Sequence, residues 1–379
     1  MGKRRINMTD LIIGAPLQWD VYDSTGHLLL GKGHMLVHAR QLETLVERGL
    51  FIDALGESGD GKRAACAQAA ETPSALRMIN QVNRRLEALL VNLPNETGAE
   101  AKLLEAANVL IRAAASEPDI ALASILLNQQ CGIYPVRHSI DTAIVALLVA
   151  SSLHKPADEI TLVTAAALTM NVGMLRLQET LQHSAAPLSA EESKTIQEHP
   201  QESARMLQHA GVAQQDWLSW VLHHHENEDG SGYPHGKHGA DIPANAKLIS
   251  LADRYCARVS TRNYRKSLLP NAALRDILLA DKNNIDPAVA SAFIRELGIY
   301  PTGTLVRLQN GEIGVVTGRG PSTTTPKVHA LIGPRGAPLA QAFRRDTEKQ
   351  LYAIRDVLTE EQASMRFTMQ QLWGPAAAL

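Results

Sequence analysis

Residues 224–234 read His-His-Glu-Asn-Glu-Asp-Gly-Ser-Gly-Tyr-Pro. Two imidazoles, His224 and His225, and three carboxylates, Glu226, Glu228 and Asp229, stand at the end of an apolar segment running from Trp217 to Leu222. The Gly230-Ser231-Gly232-Tyr233-Pro234 turn then breaks any helix, because glycine frees the backbone and proline lacks the amide donor. Ligand-type side chains grouped at a helix C-terminus point to a metal or phosphate site. The surrounding sequence supplies the helices: residues 120–300 read as successive amphipathic helices with polar loops and few strand signals.

Further ligand-type residues lie along this helical stretch. His138 stands in Arg137-His138-Ser139 just before an apolar helix, His199 precedes Pro200, and Asp253 follows the apolar Leu248-Ile249-Ser250-Leu251-Ala252. Arg262 and Arg265 come shortly after Asp253. Imidazole and carboxylate together suit Fe, Mn or Zn, and such mixed sites hydrolyse phosphoesters. Guanidinium groups beside them would grip phosphate oxygens in forked geometry. With 14 histidines in the chain, most lone ones are ordinary surface or packing residues, and His154, His183, His223, His235 and His238 are placed in that class.

The flanks have a different character. Leu17 to Tyr22 alternates as a strand, Ser24-Thr25-Gly26-His27 is turn chemistry, Leu28-Leu29-Leu30 returns, and Ala39 to Arg48 has helical spacing. Residues 1–55 therefore predict a small α/β module, 56–75 a linker, and 76–120 a helical connecting region with Leu86, Leu89, Leu90 and Leu93 on one face. Beyond the 121–300 helical domain, Asn310-Gly311 between two apolar runs signals a hairpin, and Val328 to Ile332 a third strand. Residues 301–379 thus predict a β extension with a C-terminal helix over 359–372. The fold class is mainly α, with small β-containing modules at both ends.

Composition narrows the function classes. A hydrophobic content of 45% supports full cores, and a net charge of -2 gives no global basic field for nucleic acid. The three cysteines, Cys66, Cys131 and Cys256, are widely spaced and odd in number, which fits a reducing, cytoplasmic setting and no disulfide framework. No apolar run of signal length follows the charged N-terminus, and Ile140 to Leu153 is too short to span a bilayer. The expectation is a soluble protein with no membrane and no nucleic-acid partner.

Taken as an ordered set, these residues resemble the HD-GYP family, a helical subset of HD phosphohydrolases that cleaves the bacterial messenger cyclic di-GMP. The family motif HHExxDGxGYP is matched at every specified position by His224 through Pro234. Arg137-His138-Ser139, His199-Pro200, Ile242-Pro243, Ala252-Asp253 and Arg262-Asn263-Tyr264-Arg265 extend the resemblance over about 121–300. It implies that His138, His199, His224, His225 and Asp253 are metal ligands, holding one or two divalent ions such as Fe or Mn. It implies that Arg262 and Arg265 hold substrate phosphates. It also implies that Glu226, Asp229, Gly230, Gly232, Tyr233 and Pro234 form a loop beside the site, able to meet partner proteins such as diguanylate cyclase domains.

The chain departs from the family at the dyad that names it. The pattern Leu-His-Asp-Ile-Gly-Lys is replaced by Thr169-Met170-Asn171-Val172-Gly173-Met174, and the Glu of trinuclear members is Tyr134. Asn171 offers a neutral carbonyl oxygen where the family has a bridging carboxylate. Met170 offers a soft thioether, unsuited to Fe or Mn, and is most simply a core residue. Met174 removes a cation. With single electrostatic groups worth about 10²–10³ in rate, these losses imply a drop of several orders of magnitude. Three readings follow. The favoured one is a degenerate cyclic di-GMP signalling protein that binds nucleotide or protein. The others are an active phosphodiesterase making pGpG or GMP with an atypical metal site, and a helical interaction protein without ligand. A homodimer through the 75–120 helices is a further expectation.

Overall fold

The computed structural model describes the short strands at 3–5, 21–22, 28–30 and 51–53, and residues 74–379 apart from 185, 261–266 and 281–284. The chain divides into two compact units, Met1–Glu71 and Thr72–Leu379.

In the first unit, β1 (Lys3–Arg5), β2 (Val21–Tyr22), β3 (Leu28–Leu30) and β4 (Phe51–Asp53) form an antiparallel sheet in the order β1-β4-β2-β3. The predicted hairpin is present as the β2–β3 pair, with Val21 opposite Leu30. The predicted helix from Ala39 to Arg48 and most of the 56–75 linker lie outside the described residues.

The second unit opens with α1 (Ala75–Val91) and α2 (Ala99–Ser116). Ser74 caps α1 by accepting the Arg77 amide, and Leu76, Ile79, Val82, Leu86 and Leu90 make a buried stripe at helical spacing. Pro118 begins α3 (Pro118–Leu127), where its missing N–H needs no partner. α4 (Tyr134–Ser152) is buried along nearly its whole length, so it is the central helix of the bundle. His138 therefore lies inside α4 rather than ahead of it, because Pro135 in the first turn starts the helix earlier than the apolar run suggests.

α5 (Ala157–Thr169) and α6 (Leu175–Leu181) are separated by a 3-10 turn at Val172–Met174. The replaced dyad sits at this break and not within a regular helix: Met170 caps α5 and Asn171 opens the turn. The run Ala157–Leu181 has the length and apolarity of a membrane span, but 61% of its most apolar window is buried inside the bundle, as in the core helix of a globular domain.

α7 (Ala190–His209) begins with a Ser189/Glu192 capping box and carries Pro200 in its interior. α8 (Gln215–His223), α9 (Ala244–Val259), α10 (Pro270–Ala280) and α11 (Pro287–Leu297) complete the bundle. One contiguous apolar core runs through α1 to α11 and takes in Met369 and Ala377 from the C-terminal tail.

The last part is a five-stranded antiparallel sheet, β5 (Leu305–Leu308), β6 (Ile313–Gly318), β7 (Lys327–Ile332), β8 (Pro338–Asp346) and β9 (Ile354–Val357), in the order β8-β7-β6-β5-β9. The Asn310-Gly311 turn joins β5 to β6 as predicted, with Gly311 at φ +88° and Leu308 donating to the Glu312 carbonyl at 2.8 Å. The single helix expected over 359–372 is instead two short ones, α12 (Glu360–Ala363) and α13 (Met369–Trp373). Ser364, left-handed at φ +46°, ends the first, and Thr368 caps the second.

Candidate metal centre and its loop

The end of α8 sets the site. Trp217 is fully buried, and its indole N–H donates to Thr169 Oγ1 at 2.9 Å, which ties α8 to the end of α5 beside Met170. His224 caps α8. Its Nδ1 lies 2.6 Å from the Val221 carbonyl. That carbonyl belongs to the last turn, where helical acceptors lack amide partners. A carbonyl can only accept, so Nδ1 carries the proton and Nε2 is left with its lone pair.

His199 reaches the same state by another route. Proline at 200 has no N–H for the carbonyl four residues back, so the Ile196 carbonyl is free. His199 Nδ1 donates to it at 2.6 Å. His199 Nε2 then faces His224 Nε2 at 3.3 Å, both bases buried and both carrying lone pairs. His225 completes the group: the ligand atoms of His199, His224 and His225 all lie within 4.8 Å of one another. Among the described residues this is the one cluster of three or more such groups.

Electrostatics keep these rings neutral. Burial, then the neighbouring His224, push His199 down to about 3. Burial also lowers His224. Crowding by protein, with His224 and His199 alongside, holds His225 well below the ordinary range, although it keeps some contact with solvent. Neutral imidazole is the form that binds a metal.

The other two predicted ligands form a pair. His138 Nε2 and Asp253 Oδ1 are 2.7 Å apart, linking α4 to α9. Burial pulls the Asp253 carboxyl upward, but the His138 hydrogen bond and the flanking imidazoles outweigh it and hold the group well below the usual carboxylate range. Tyr134 stacks on His138 at 5.6 Å between ring centres, one helical turn ahead of it on α4.

The dyad positions lie next to His199. Gly173 donates its amide to Ser203 Oγ at 2.9 Å, one helical turn beyond His199 on α7. A β-carbon at Gly173 would meet Ser203 N at 2.8 Å and the His199 carbonyl at 2.9 Å, so only glycine permits this approach. Met170 is fully buried in the apolar core. Asn171 is 2% exposed, and its Oδ1 accepts no hydrogen bond among the described residues. Met174 is half-buried.

A metal therefore fits on one side of the site and not on the other. Three converging imidazole nitrogens, with a buried carboxamide oxygen lacking a donor at the dyad position, suit a cation. The anionic bridge that a second ion needs is missing, since Asn171 is neutral and Met170 apolar. A groove of about 350 Å³ opens beside His199, lined by Gly173, Thr195, Glu198, Gln201, Glu202 and Arg205. Its rim carboxylates are both paired, Glu202 with Arg205 through two nitrogens and Glu198 with Lys194 at 3.8 Å.

The 226–234 loop is built on Glu226. This carboxylate is buried, and its oxygens accept the amides of His235 at 2.8 Å and Lys237 at 2.9 Å. Glu226 is thus the clamp of the loop, a role its place in the motif does not reveal. Gly230 has φ +78°, and Gly232 has no room for a side chain: a β-carbon would lie 2.4 Å from Asn227 N and 2.5 Å from the His225 carbonyl. Tyr233 donates its amide to that carbonyl at 3.1 Å and stacks on His225 at 4.7 Å. Asp229 is exposed and accepts the amide and hydroxyl of Ser231. Pro234 follows through a cis peptide bond.

Sequence reasoning passes over Arg254 and Lys247, which hold this loop from α9. Arg254 Nη2 donates to Asn227 Oδ1 at 2.6 Å, and Lys247 pairs with Glu228 at 2.7 Å. Arg254 follows Asp253 directly, and that adjacency was the available signal. Arg262 and Arg265 lie outside the described residues.

Comparison with known proteins identifies the domain. Residues 121–289 match the model of the HD domain. A cyclic di-GMP phosphodiesterase of Pseudomonas aeruginosa is 32% identical over 58% of this chain and 54% of its own length. The cyclic di-GMP phosphodiesterase response regulator RpfG of Xanthomonas campestris is 28% identical over 40% of each chain. Among solved structures, an HDG"Y"P protein from Bdellovibrio bacteriovorus superimposes with a TM-score of 0.52 at 17% identity, over 77% of this chain and 98% of that one.

Residues 121–289 belong to the HD domain family, and their motif is that of its HD-GYP branch.

It spans about half the length of the curated relatives it matches. Within this HD-GYP domain, the motif histidines and the loop stand at one end of α8, against α4, α7 and α9. The substituted dyad lies beside them on the α5–α6 turn.

Proposed function

We propose that this HD-GYP protein is a cyclic di-GMP signalling protein whose catalysis is impaired or lost, and which acts by binding the nucleotide or a partner protein. One observation supports the reading: Met170 and Asn171 stand in sequence where the family motif has its dyad, on the α5–α6 turn that packs against α7 beside His199. Met170 is fully buried and Asn171 nearly so, which makes them packed parts of the domain.

Each group has a part in this reading. His199, His224 and His225, with Asp253 and His138 beside them, would hold a divalent ion. Such an ion supplies a Lewis acid at a phosphodiester oxygen when bound. Asn171 cannot share negative charge between two ions, and Met174 provides no cation for the developing phosphate charge. Arg262 and Arg265 would grip the phosphates through forked hydrogen bonds. The Asp229–Pro234 loop, held rigidly by Glu226, Arg254 and Lys247, offers the surface for a diguanylate cyclase or another protein.

The intact three-imidazole cluster favours a second reading, an active phosphodiesterase that releases pGpG or GMP from an atypical site. One experiment separates the two. Anaerobically purified protein is incubated with cyclic di-GMP in added Mn²⁺ or Fe²⁺, and binding and product are measured together. Binding with turnover several orders of magnitude below an intact relative is the expected outcome. Turnover at a relative's rate would make the protein an enzyme, and absence of binding would remove the nucleotide from the proposal.

A further inference from the structure

Backbone chemistry on two different helices aims two imidazoles at one point. The Ile196 carbonyl, freed by Pro200, takes the Nδ1 proton of His199 at 2.6 Å. The Val221 carbonyl takes that of His224 at 2.6 Å. Both Nε2 lone pairs then face each other at 3.3 Å in a buried setting. Such an arrangement is repulsive unless a cation lies between the two nitrogens. His225 brings a third donor into the same 4.8 Å sphere, which suits a metal ion better than a shared proton.

The donor set selects the metal, and the one close spacing admits it. Zinc–nitrogen bonds of about 2.0–2.1 Å at a tetrahedral angle place two ligand nitrogens about 3.3–3.4 Å apart. The observed separation is 3.3 Å. Neutral imidazoles favour borderline ions, whereas Mn²⁺ and Mg²⁺ seek carboxylates, carbonyls and water. The predicted carboxylate ligand, Asp253, is engaged by His138 at 2.7 Å, and Glu226, next to His225, by the amides of His235 and Lys237. On the dyad side, Met170 is buried among apolar groups and Asn171 is neutral.

We propose that this chain carries a mononuclear three-histidine site, formed by His199, His224 and His225, that selects Zn²⁺ or Co²⁺ over Mn²⁺ and has no second metal position. The inference rests on the HD-GYP reading above for the roles of the dyad positions, and fixes the number and class of ion.

The test uses the full chain, stripped with a chelator, reloaded in parallel with excess Zn²⁺, Co²⁺ or Mn²⁺, and desalted. Metal per chain is then counted, and the visible spectrum of the Co²⁺ form recorded. One Zn²⁺ or Co²⁺ per chain is expected, with the intense absorption of tetrahedral cobalt and with Mn²⁺ lost on desalting. Removing an outer partner of a metal-bound histidine costs about 10–100-fold in affinity, so His225→Ala should weaken Zn²⁺ at least about tenfold in chelator competition. Met170→His combined with Asn171→Asp should raise the count from one to two.

Two ions in the wild-type chain, no ion, or Mn²⁺ held as tightly as Zn²⁺ would overturn the proposal. So would unchanged Zn²⁺ affinity in His225→Ala, or a count that stays at one in the double variant. The wild-type count decides the matter by itself if His225→Ala fails to fold. Cyclic di-GMP binding measured on the same samples keeps the two readings apart. One zinc without nucleotide binding leaves the metal site standing and ends the signalling reading. Nucleotide binding with two ions does the reverse.

Discussion

His199 shows how much one residue's environment decides. Burial and the adjacent His224 push it down to about 3 from an ordinary 6.5, so the folded protein holds it neutral. The unfolded chain has no such burial and takes up a proton near the ordinary value. Between those two pH values the unfolded state binds more protons than the folded state, and stability rises with pH across the window. The contribution is therefore present above about 6.5 and lost as pH falls toward 3. His224 and His225 shift in the same direction and add to it. In chelator, the denaturant midpoint should fall steadily from pH 7 to pH 4.5, and His199→Gln should flatten that slope. A midpoint constant over the range would contradict the account. At this scale the 224–234 motif was legible because its chemistry is local. Gly230 needs a left-handed φ and Gly232 needs the absence of a β-carbon, and both demands are written in the residue type. Glu226 was less legible: its type suggests a ligand, and only the amides of His235 and Lys237 show it to be the clamp of the loop.

At the scale of the element, α7 carries a proline that a stability argument alone would remove. Pro200 costs about 3 kcal/mol relative to alanine in a helix interior. In return it leaves the Ile196 carbonyl free to fix His199 with Nδ1 protonated and Nε2 available as a ligand. Pro200→Ala restores an N–H four residues from that carbonyl, which then competes for it. Two measurements should move in opposite directions: the melting temperature in chelator rises, and Zn²⁺ affinity falls about tenfold, the loss typical of an outer partner of a metal-bound histidine. If both rise, Pro200 does not position the ring. Helix existence was readable from periodicity, but helix boundaries near the site were not. His138 looked like a residue ahead of α4 because the apolar run begins after it, whereas Pro135 starts the helix earlier. The dyad stretch follows an apolar helical run, yet the close approach of Gly173 to Ser203 and the His199 carbonyl turns it into a 3-10 break. The break is set by contacts distant in sequence, whereas the early start is a local proline signal that the apolar pattern masks.

For the whole molecule, the mainly α fold with small β pieces followed from pattern, since residues 120–300 alternate on a helical period and Asn310-Gly311 marks a hairpin. What pattern could not show is how the ends of the 72–379 unit close on each other. Ser74 caps α1 and also donates its hydroxyl to the carbonyls of Ala376 at 3.0 Å and Ala378 at 2.6 Å, while Arg77 donates to the Leu379 carbonyl at 3.1 Å. Met369 and Ala377 enter the same core as α1. These partners stand some 300 residues apart in sequence, so no local signal links them. The closing contact lies on α1 and the tail, whereas the histidine cluster is built from α7 and the end of α8. Ser74→Ala removes an N-cap, worth about 1 kcal/mol, and leaves part-buried carbonyls without their donor, worth about another 1–3 kcal/mol. The expected result is a lower denaturant midpoint with a single transition for this unit, because one core spans it, and an unchanged count of Zn²⁺ per chain, because the site's elements are not touched. A midpoint that stays where it was would show that the tail adds nothing to the unit. A lost metal would show that α1 and the site are coupled through the core, and that the dyad positions are not the sole control on how many ions this chain holds.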